Sequence, residues 1–279
     1  MGVKKILVYY NNEKKKAFDL AKKIKSLLAS KGVRCEQFPS VSARMPSGDF
    51  AVALGGDGTM LKVSHMLAGT NIPLLGINMG SLGFLAEADP NELYQVINHI
   101  LTGHLLVNRR MLLEASVLKK GTDSDKSKRY LAFNDCVIRS GEESRVVSIS
   151  VYVNKELLST FPGDGVIVST PTGSTAYSLA AGGPIVYPAL DLFIISPICP
   201  HMLTQRPVIL PEGSIIELCA NPSTRKRKVV LSLDGQREVP LGENDTVRIK
   251  KSGKSILIAT LPKKHYFEIL RKKLNWGER

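Results

Sequence analysis

Apolar residues recur in this chain with two different rhythms, and the change near residue 107 limits the fold more than any single motif. Up to that point, extended apolar runs alternate with helical patterns. "KKILVYY" reads as a buried strand. Residues 13–31 place Ala17, Leu20, Ala21, Ile24, Leu27 and Leu28 on one helical face, which Gly32 ends. "VRCEQF", "DFAVAL" and "IPLLGIN" follow as strands, with "TMLKVSHMLAG" as a helix between the last two. Asp89-Pro90-Asn91-Glu92 supplies an N-cap, a first-turn proline and a capping-box acid for another helix. Strand–helix alternation of this kind specifies a parallel sheet flanked by helices.

Beyond residue 107, "LLVNRRMLLEASVL", "RYLAFNDCVIRS", "VVSISVYVN", "DGVIVST", "SIIELCA", "KVVLSL" and "TVRIKK" are short strands divided by turn residues. Their spacing predicts an antiparallel, sandwich-like domain. Only "GSTAYSLAAGG" and "KKHYFEILRKKL" look helical there, and "GTDSDKSKR" is a polar loop. The expected architecture is α/β plus β. An α/β domain over 1–107 carries a glycine-rich turn, a β-rich domain spans 108–252, and a strand and helix at 253–279 return to the first domain. The 279 residues allow one to two domains of this size.

Composition narrows the function classes. At 43% hydrophobic and 23% charged the chain has ordinary globular balance. It has no apolar run of membrane-spanning length and no secretory leader pattern. Cys35, Cys136, Cys199 and Cys219 form no CxxC pair, which argues against a zinc site or a disulfide framework and for free thiols in a reducing compartment. The expected location is cytoplasmic, without membrane association. The net charge of +13 comes mostly from lysines on helix faces and from the loop "RKRK". No nucleic-acid motif accompanies it, so no nucleic-acid partner is expected. A solvated basic surface is the simpler account, and it would attract a small polyanion such as a nucleotide.

Three stretches carry chemistry. Gly55-Gly56-Asp57-Gly58-Thr59 follows a strand and opens a helix, where open α/β folds bind ligands. Glycines permit close backbone approach, and a helix N-terminus favours phosphate. GxxxxGK[ST] is absent, and "GDGTML" lacks the third glycine of a dinucleotide fingerprint. Asp57 either caps the helix or acts on an incoming hydroxyl as a base or by placing Mg²⁺. The second stretch, "FPGDGVIVSTPTGSTAYSLAAGGPIVYP", offers Asp164 before a strand. It also offers hydroxyls, amides and an aromatic face suited to an adenosine, or else it forms a loop of Ser/Thr turns. In the third, Asn134-Asp135 either grips vicinal ribose hydroxyls or forms a bulge or turn pair.

In this order, GGDGT, Asn-Asp, "GDGVIVSTPTGSTAYSLAAGGPIVYP" and "SLDGQ" at 232–236 resemble the bacterial NAD kinases. "GINMGSLGFLAEADP" and "YFEILRKKLNWG" follow the same pattern, so the resemblance covers residues 4 to about 277. GGDGT alone is shared with lipid kinases and, in a close variant, with sugar kinases. A lipid or sugar kinase, or a non-catalytic dinucleotide-binding regulator, is therefore the alternative. The resemblance implies phosphorylation of the adenosine ribose 2′-hydroxyl of NAD by ATP or polyphosphate, with a divalent cation such as Mg²⁺. No protein side chains are singled out as metal ligands.

By position, the resemblance makes Asp57 the proton acceptor, with Gly55, Gly56, Gly58 and Thr59 around the ligand and Phe84 lining its pocket. Asn134 and Asp135 would hold the nicotinamide ribose side, and Asp164 the carboxamide. Thr175, Ala176, Tyr177, Ser178, Leu179 and Ala180 would surround an adenosine. Arg145 and Gln236 would add NAD contacts. A homodimer or homotetramer is implied, pairing through edges of the β domain. Two departures stand out. Asp135 follows Asn134 where Glu is more frequent, and Pro162 stands where some relatives carry a basic side chain.

Overall fold

The computed structural model describes residues 2–12, 14–39, 47–80, 83–86, 88–119, 127–141, 146–220, 228–242, 245–262 and 266–277. The chain divides into two compact units, one of residues 1–109 and 255–279, the other of residues 110–254.

In the first unit the elements are β1 (Lys5–Tyr10), α1 (Lys15–Ser30), β2 (Arg34–Phe38), β3 (Phe50–Gly55), α2 (Asp57–Leu67), β4 (Leu74–Asn78) and α3 (Leu93–Thr102). The strands pair in parallel in the order β2-β1-β3-β4. The order turns back between β1 and β3, so the loop that leaves β3 lies at the ligand-binding end of such a sheet. Ala17, Ala21, Ile24 and Leu28 of α1 are buried against Ile6, Val8, Val52 and Leu54. Gly32, at φ +71°, accommodates the left-handed residue just past the helix end. The capping box at Asp89 and Glu92 forms as the sequence specifies and opens a short 3-10 turn ahead of α3.

The second unit holds β5 (Leu106–Leu118, entering from the first unit), β6 (Arg129–Ala132), β7 (Asp135–Ser140), β8 (Val147–Val153), β9 (Glu156–Gly163) and β10 (Gly165–Ser169). These are followed by α4 (Tyr177–Ala180), β11 (Leu192–Ile198), β12 (Val208–Pro211), β13 (Ile216–Ala220), β14 (Val229–Leu233), β15 (Arg237–Leu241) and β16 (Thr246–Thr260). One sheet runs β12-β11-β10-β7-β14-β15. Strands β16, β13, β8 and β9 form the other, antiparallel throughout, with β5 and β6 attached as an antiparallel pair. Alternate residues of both sheets, among them Val147, Ile149, Val151, Cys136, Ile138, Val166, Val168 and Leu231, form one apolar core. This is the sandwich arrangement the alternation specified. The far end of β16 lies in the first unit, where Ile258 pairs with Leu74 in parallel. The last helix, α5 (Tyr266–Leu274), belongs to that unit too, with Ile269 and Leu270 buried.

Two local expectations give way. The tract "GSTAYSLAAGG" holds only a 3-10 turn, Thr172–Thr175, and the single-turn α4. Ser174 and Thr175 donate their hydroxyls to the carbonyls of Pro171 and Thr172, which competes with helix continuation. Strands β9 and β11 contain Pro162 and Pro197, which lower the sequence signal. Proline is tolerated in both because β9 is a sheet edge and Pro197 lies beyond the residues of β11 that pair with β12.

Candidate active site

In the first unit, β3 ends at Gly55 and α2 starts at Asp57, with extended Gly56 as the N-cap residue. Asp57 does not cap its own helix. Its carboxylate reaches the segment 84–86 and accepts N–H groups from Phe84 on Oδ2 (3.0 Å) and from Leu85 and Ala86 on Oδ1 (3.0 and 3.4 Å). The helix-cap account is therefore replaced by a tether between two loops at the end of the sheet. Gly83 permits this approach, because a Cβ there would stand 2.1 Å from Asp57 Oδ1. Gly55 is equally constrained, by the Thr59 hydroxyl at 2.1 Å. Gly56 and Gly58 differ, since a Cβ on either would meet nothing within 4 Å. The Gly56 carbonyl accepts the N–H groups of Thr59 and Met60 (3.0 and 3.1 Å), which leaves those of Asp57 and Gly58 as the helix-start donors without an intrahelical acceptor, and Gly58 is exposed. Phe84 is half-buried, with the Lys273 ammonium 5.7 Å from its ring.

In the second unit, Asn134 sits in the break between β6 and β7, and Asp135 begins β7. The adjoining turn of the β14–β15 hairpin puts Asp234 and Gly235 in the left-handed region, at φ +52° and +63°, as an Asp-Gly hairpin prefers. The Asp234 carboxylate accepts the N–H groups of Phe133 (2.8 Å), Asn134 (2.7 Å) and Asp135 (3.0 Å). From the other side, Thr170 donates its N–H to the Asn134 carbonyl (2.9 Å) and its hydroxyl to the Phe133 carbonyl (2.6 Å). Gly173 packs so closely that a Cβ would lie 2.1 Å from the Asn134 oxygen. The second and third sequence clusters thus meet at one place. Asp234 was not singled out from the sequence, although the Asp-Gly pair after an apolar strand marks the turn that carries it.

Asp135 is buried, and its carboxyl is pushed up to about 7, first by burial and then by the charge of Asp234. Asp164 is exposed between β9 and β10 and hydrogen-bonds the Cys199 thiol, which holds that thiol above its ordinary value. The glycines beside it are set by packing. A Cβ on Gly163 would approach the Ile198 carbonyl to 2.6 Å, and one on Gly165 the Ile138 carbonyl to 2.4 Å. The turn is therefore shaped by its glycines, and the exposed Asp164 side chain is engaged by the Cys199 thiol. Tyr177 and Ala180 are exposed, and Thr175, Ala176 and Leu179 are half-buried. Ser178 is fully buried, its hydroxyl 3.0 Å from that of Ser196, so its side chain serves the turn's own packing. Gln236 is exposed just after the Asp-Gly pair, and Arg145 lies outside the described residues. Among the described residues no three His, Cys, Asp or Glu side chains gather to hold a metal. No helix among them is long and apolar enough to cross a membrane.

A parallel sheet with a glycine turn open to a ligand, joined to a sandwich bearing a fixed Asn-Asp step, defines a kinase of the GGDGT class. The comparisons name its kind. Residues 46–105 match the model of the ATP-NAD kinase N-terminal domain, and residues 133–261 that of the ATP-NAD kinase C-terminal domain. NAD kinase of Syntrophotalea carbinolica is 43% identical over 83% of this chain and 79% of its own length. That of a Geobacter species is 38% identical over 99% of this chain and all of its own. The NAD kinase of Archaeoglobus fulgidus, solved in complex with ATP, superposes with a TM-score of 0.80 at 26% identity, covering 97% of this chain and 98% of its own. Yeast NADH kinase, solved with NADH, shares the fold with a TM-score of 0.88 at 24% identity, covering all of this chain and 89% of its own. The chain belongs to the ATP-NAD kinase family, and its activity is phosphoryl transfer to NAD, yielding NADP.

Two outcomes follow from this geometry. Asn in place of Asp57 keeps one oxygen and turns an NH₂ group toward an N–H donor. Asp57→Asn is therefore expected to lower stability by about 1–3 kcal/mol, read from the urea midpoint, and a change below about 0.5 kcal/mol would contradict the tether. For Asp135, the unfolded carboxyl titrates near 4 and the folded one about 7. The folded state then holds the extra proton between those values, so stability is full below about pH 4. It falls as pH rises through about 7, by a total on the order of 4 kcal/mol. Asp135→Asn should flatten that decline and raise the urea midpoint at pH 8. An unchanged pH profile would show that Asp135 is not held protonated.

Proposed function

We propose that the enzyme transfers the γ-phosphoryl group of ATP, or a phosphoryl group of polyphosphate, to the 2′-hydroxyl of the adenosine ribose of NAD, with Asp57 as proton acceptor. The observation that carries this is the division among the turn's glycines. Gly56 and Gly58 face open space beside the N–H groups of Asp57 and Gly58, which a helix start leaves without an intrahelical acceptor, while Gly55 and Gly83 are filled by Thr59 and Asp57. A carboxylate has four lone-pair positions. Oδ1 of Asp57 receives two N–H groups and Oδ2 one, so Oδ2 keeps a lone pair for the incoming hydroxyl.

In the reaction, the bond from the ribose oxygen to phosphorus forms as the bond from phosphorus to the leaving oxygen breaks. The hydroxyl proton passes to Asp57 Oδ2. The transition state is loose, so alignment and charge neutralisation dominate, and the first-turn amides supply part of the latter. A divalent cation, Mg²⁺ in this reading, supplies the remaining neutralisation when bound.

Recognition falls to the second unit. Asn134 and Asp135 take the hydroxyls of the nicotinamide ribose, Asp164 accepts an N–H of the carboxamide, and Thr175 to Ala180 surround an adenosine through Tyr177 and backbone groups. Gln236 adds a contact, and in the first unit Phe84 lines the pocket. The enzyme works in the cytoplasm as a homodimer or homotetramer. The edge strands β9 and β12, bearing exposed Leu157 and Ile209, support self-association.

Incubation with ATP, Mg²⁺ and NAD, read with an NADP-specific dehydrogenase, should give NADP, and Asp57→Asn should lower kcat by roughly 10²–10⁴. Turnover close to wild type in a folded Asp57→Asn enzyme would remove Asp57 from the chemistry. Asp164 predicts substrate choice. A dinucleotide with a carboxylate in place of the carboxamide would set two charges against each other with no donor between them. The wild-type enzyme should favour NAD strongly, and Asp164→Asn should narrow the kcat/KM ratio between the two. A ratio unchanged by the substitution would end the carboxamide assignment.

A further inference from the structure

Asn134 and its neighbours have no freedom of backbone, and one side chain accounts for half of that restraint. β14 pairs with β7 at Leu233 and Cys136, which sets the Asp234 turn beside the start of β7. The Asp234 N–H bonds the Asp135 carbonyl at 3.0 Å, while its carboxylate takes the N–H groups of Phe133, Asn134 and Asp135. The carbonyls of Phe133 and Asn134 are held from the opposite side by Thr170 and Ser169. The main chain at Asn134 is thus bonded on both edges. Its half-buried side-chain amide makes no hydrogen bond among the described residues. A side chain fixed at its root and unspent at its tip is set up to meet a ligand.

We propose that Asp234 is a positioning residue for NAD. By gathering three consecutive N–H groups it fixes the direction in which Asn134 offers its amide to the ribose hydroxyls. The proposal rests on the assignment of Asn134 to the nicotinamide ribose. Charge matters as well as shape. Oδ1 alone lies within reach of all three N–H groups, at 3.1, 2.7 and 3.0 Å, and Oδ2 takes the Phe133 N–H at 2.8 Å; an amide keeps one oxygen, loses the charge that strengthens these bonds and turns an NH₂ toward the Phe133 N–H. The segment then loosens, and the Asn134 amide samples directions that miss the ribose.

The test is a double-mutant cycle on the full-length enzyme with Asp234→Asn and Asn134→Ala, measuring KM and kcat for NAD and for ATP. Asp234→Asn should raise KM for NAD by about tenfold or more and leave KM for ATP within about twofold. In the Asn134→Ala background its further effect on NAD should fall below about twofold, because the group it orients is gone. Amide exchange at Phe133, Asn134 and Asp135 should accelerate. Penalties that multiply in the double variant would overturn the proposal, as would equal losses for NAD and ATP. An Asn134→Ala enzyme with unchanged KM for NAD would remove the ribose assignment, and the role of Asp234 with it. Wild-type conversion of NAD to NADP tests the kinase reading separately. If Asp234→Asn does not fold, Asp234→Glu, which keeps the charge and displaces it by one methylene, carries the same cycle.

Discussion

A carboxylate that receives several consecutive backbone N–H groups from a distant stretch of chain organises each of the two units. Asp57 does this for residues 84–86 and Asp234 for residues 133–135. Loop N–H groups left without acceptors would cost more than their bonds return, so a single anion serving three of them stabilises an otherwise irregular segment. It also places negative charge where the main chain already turns its donors. In the first unit this leaves Asp57 Oδ2 with a single N–H donor. In the second it leaves the Asn134 amide without a hydrogen bond among the described residues.

The glycines show how the same residue type serves opposite ends. Gly55, Gly83 and Gly173 lack side chains because another part of the protein occupies the volume. Gly56 and Gly58 have no such neighbour and no left-handed backbone, so neither internal packing nor conformation explains them. The proposed phosphate site would use that room. One motif therefore contains both a glycine packed against its own chain and glycines that face open space.

The fold class was legible because it rests on periodicity. The α1 face, the Asp89 capping box and the alternating strands of the sandwich follow from spacings of 3.6 and 2 residues, and the structure has them where those spacings fall. Strands β9 and β11 were not, since Pro162 is tolerated through an edge position and Pro197 because β12 does not reach it, which a linear reading lacks. The helical expectation for residues 173–183 failed because Ser174 and Thr175 spend their hydroxyls on local carbonyls. At the site, GGDGT identified Asp57 but not its hold on residues 84–86. Asp234 stayed hidden because its significance lies in bonds to residues about a hundred positions away.

The two acidic residues of the second unit's cluster are adjacent in space and opposite in circumstance. Asp234 is surrounded by donors, while Asp135 is buried beside that charge and drawn toward its protonated form. A protonated carboxyl donates as well as accepts. Beside Asn134, whose amide also does both, it can match either partner of a vicinal diol, whichever way each hydroxyl points. A second ionised carboxylate could only accept, and would repel the phosphates of a dinucleotide more strongly. Burial of Asp135 thus costs stability as the pH rises through about 7, and the ribose-binding role proposed for it would trade that stability for recognition.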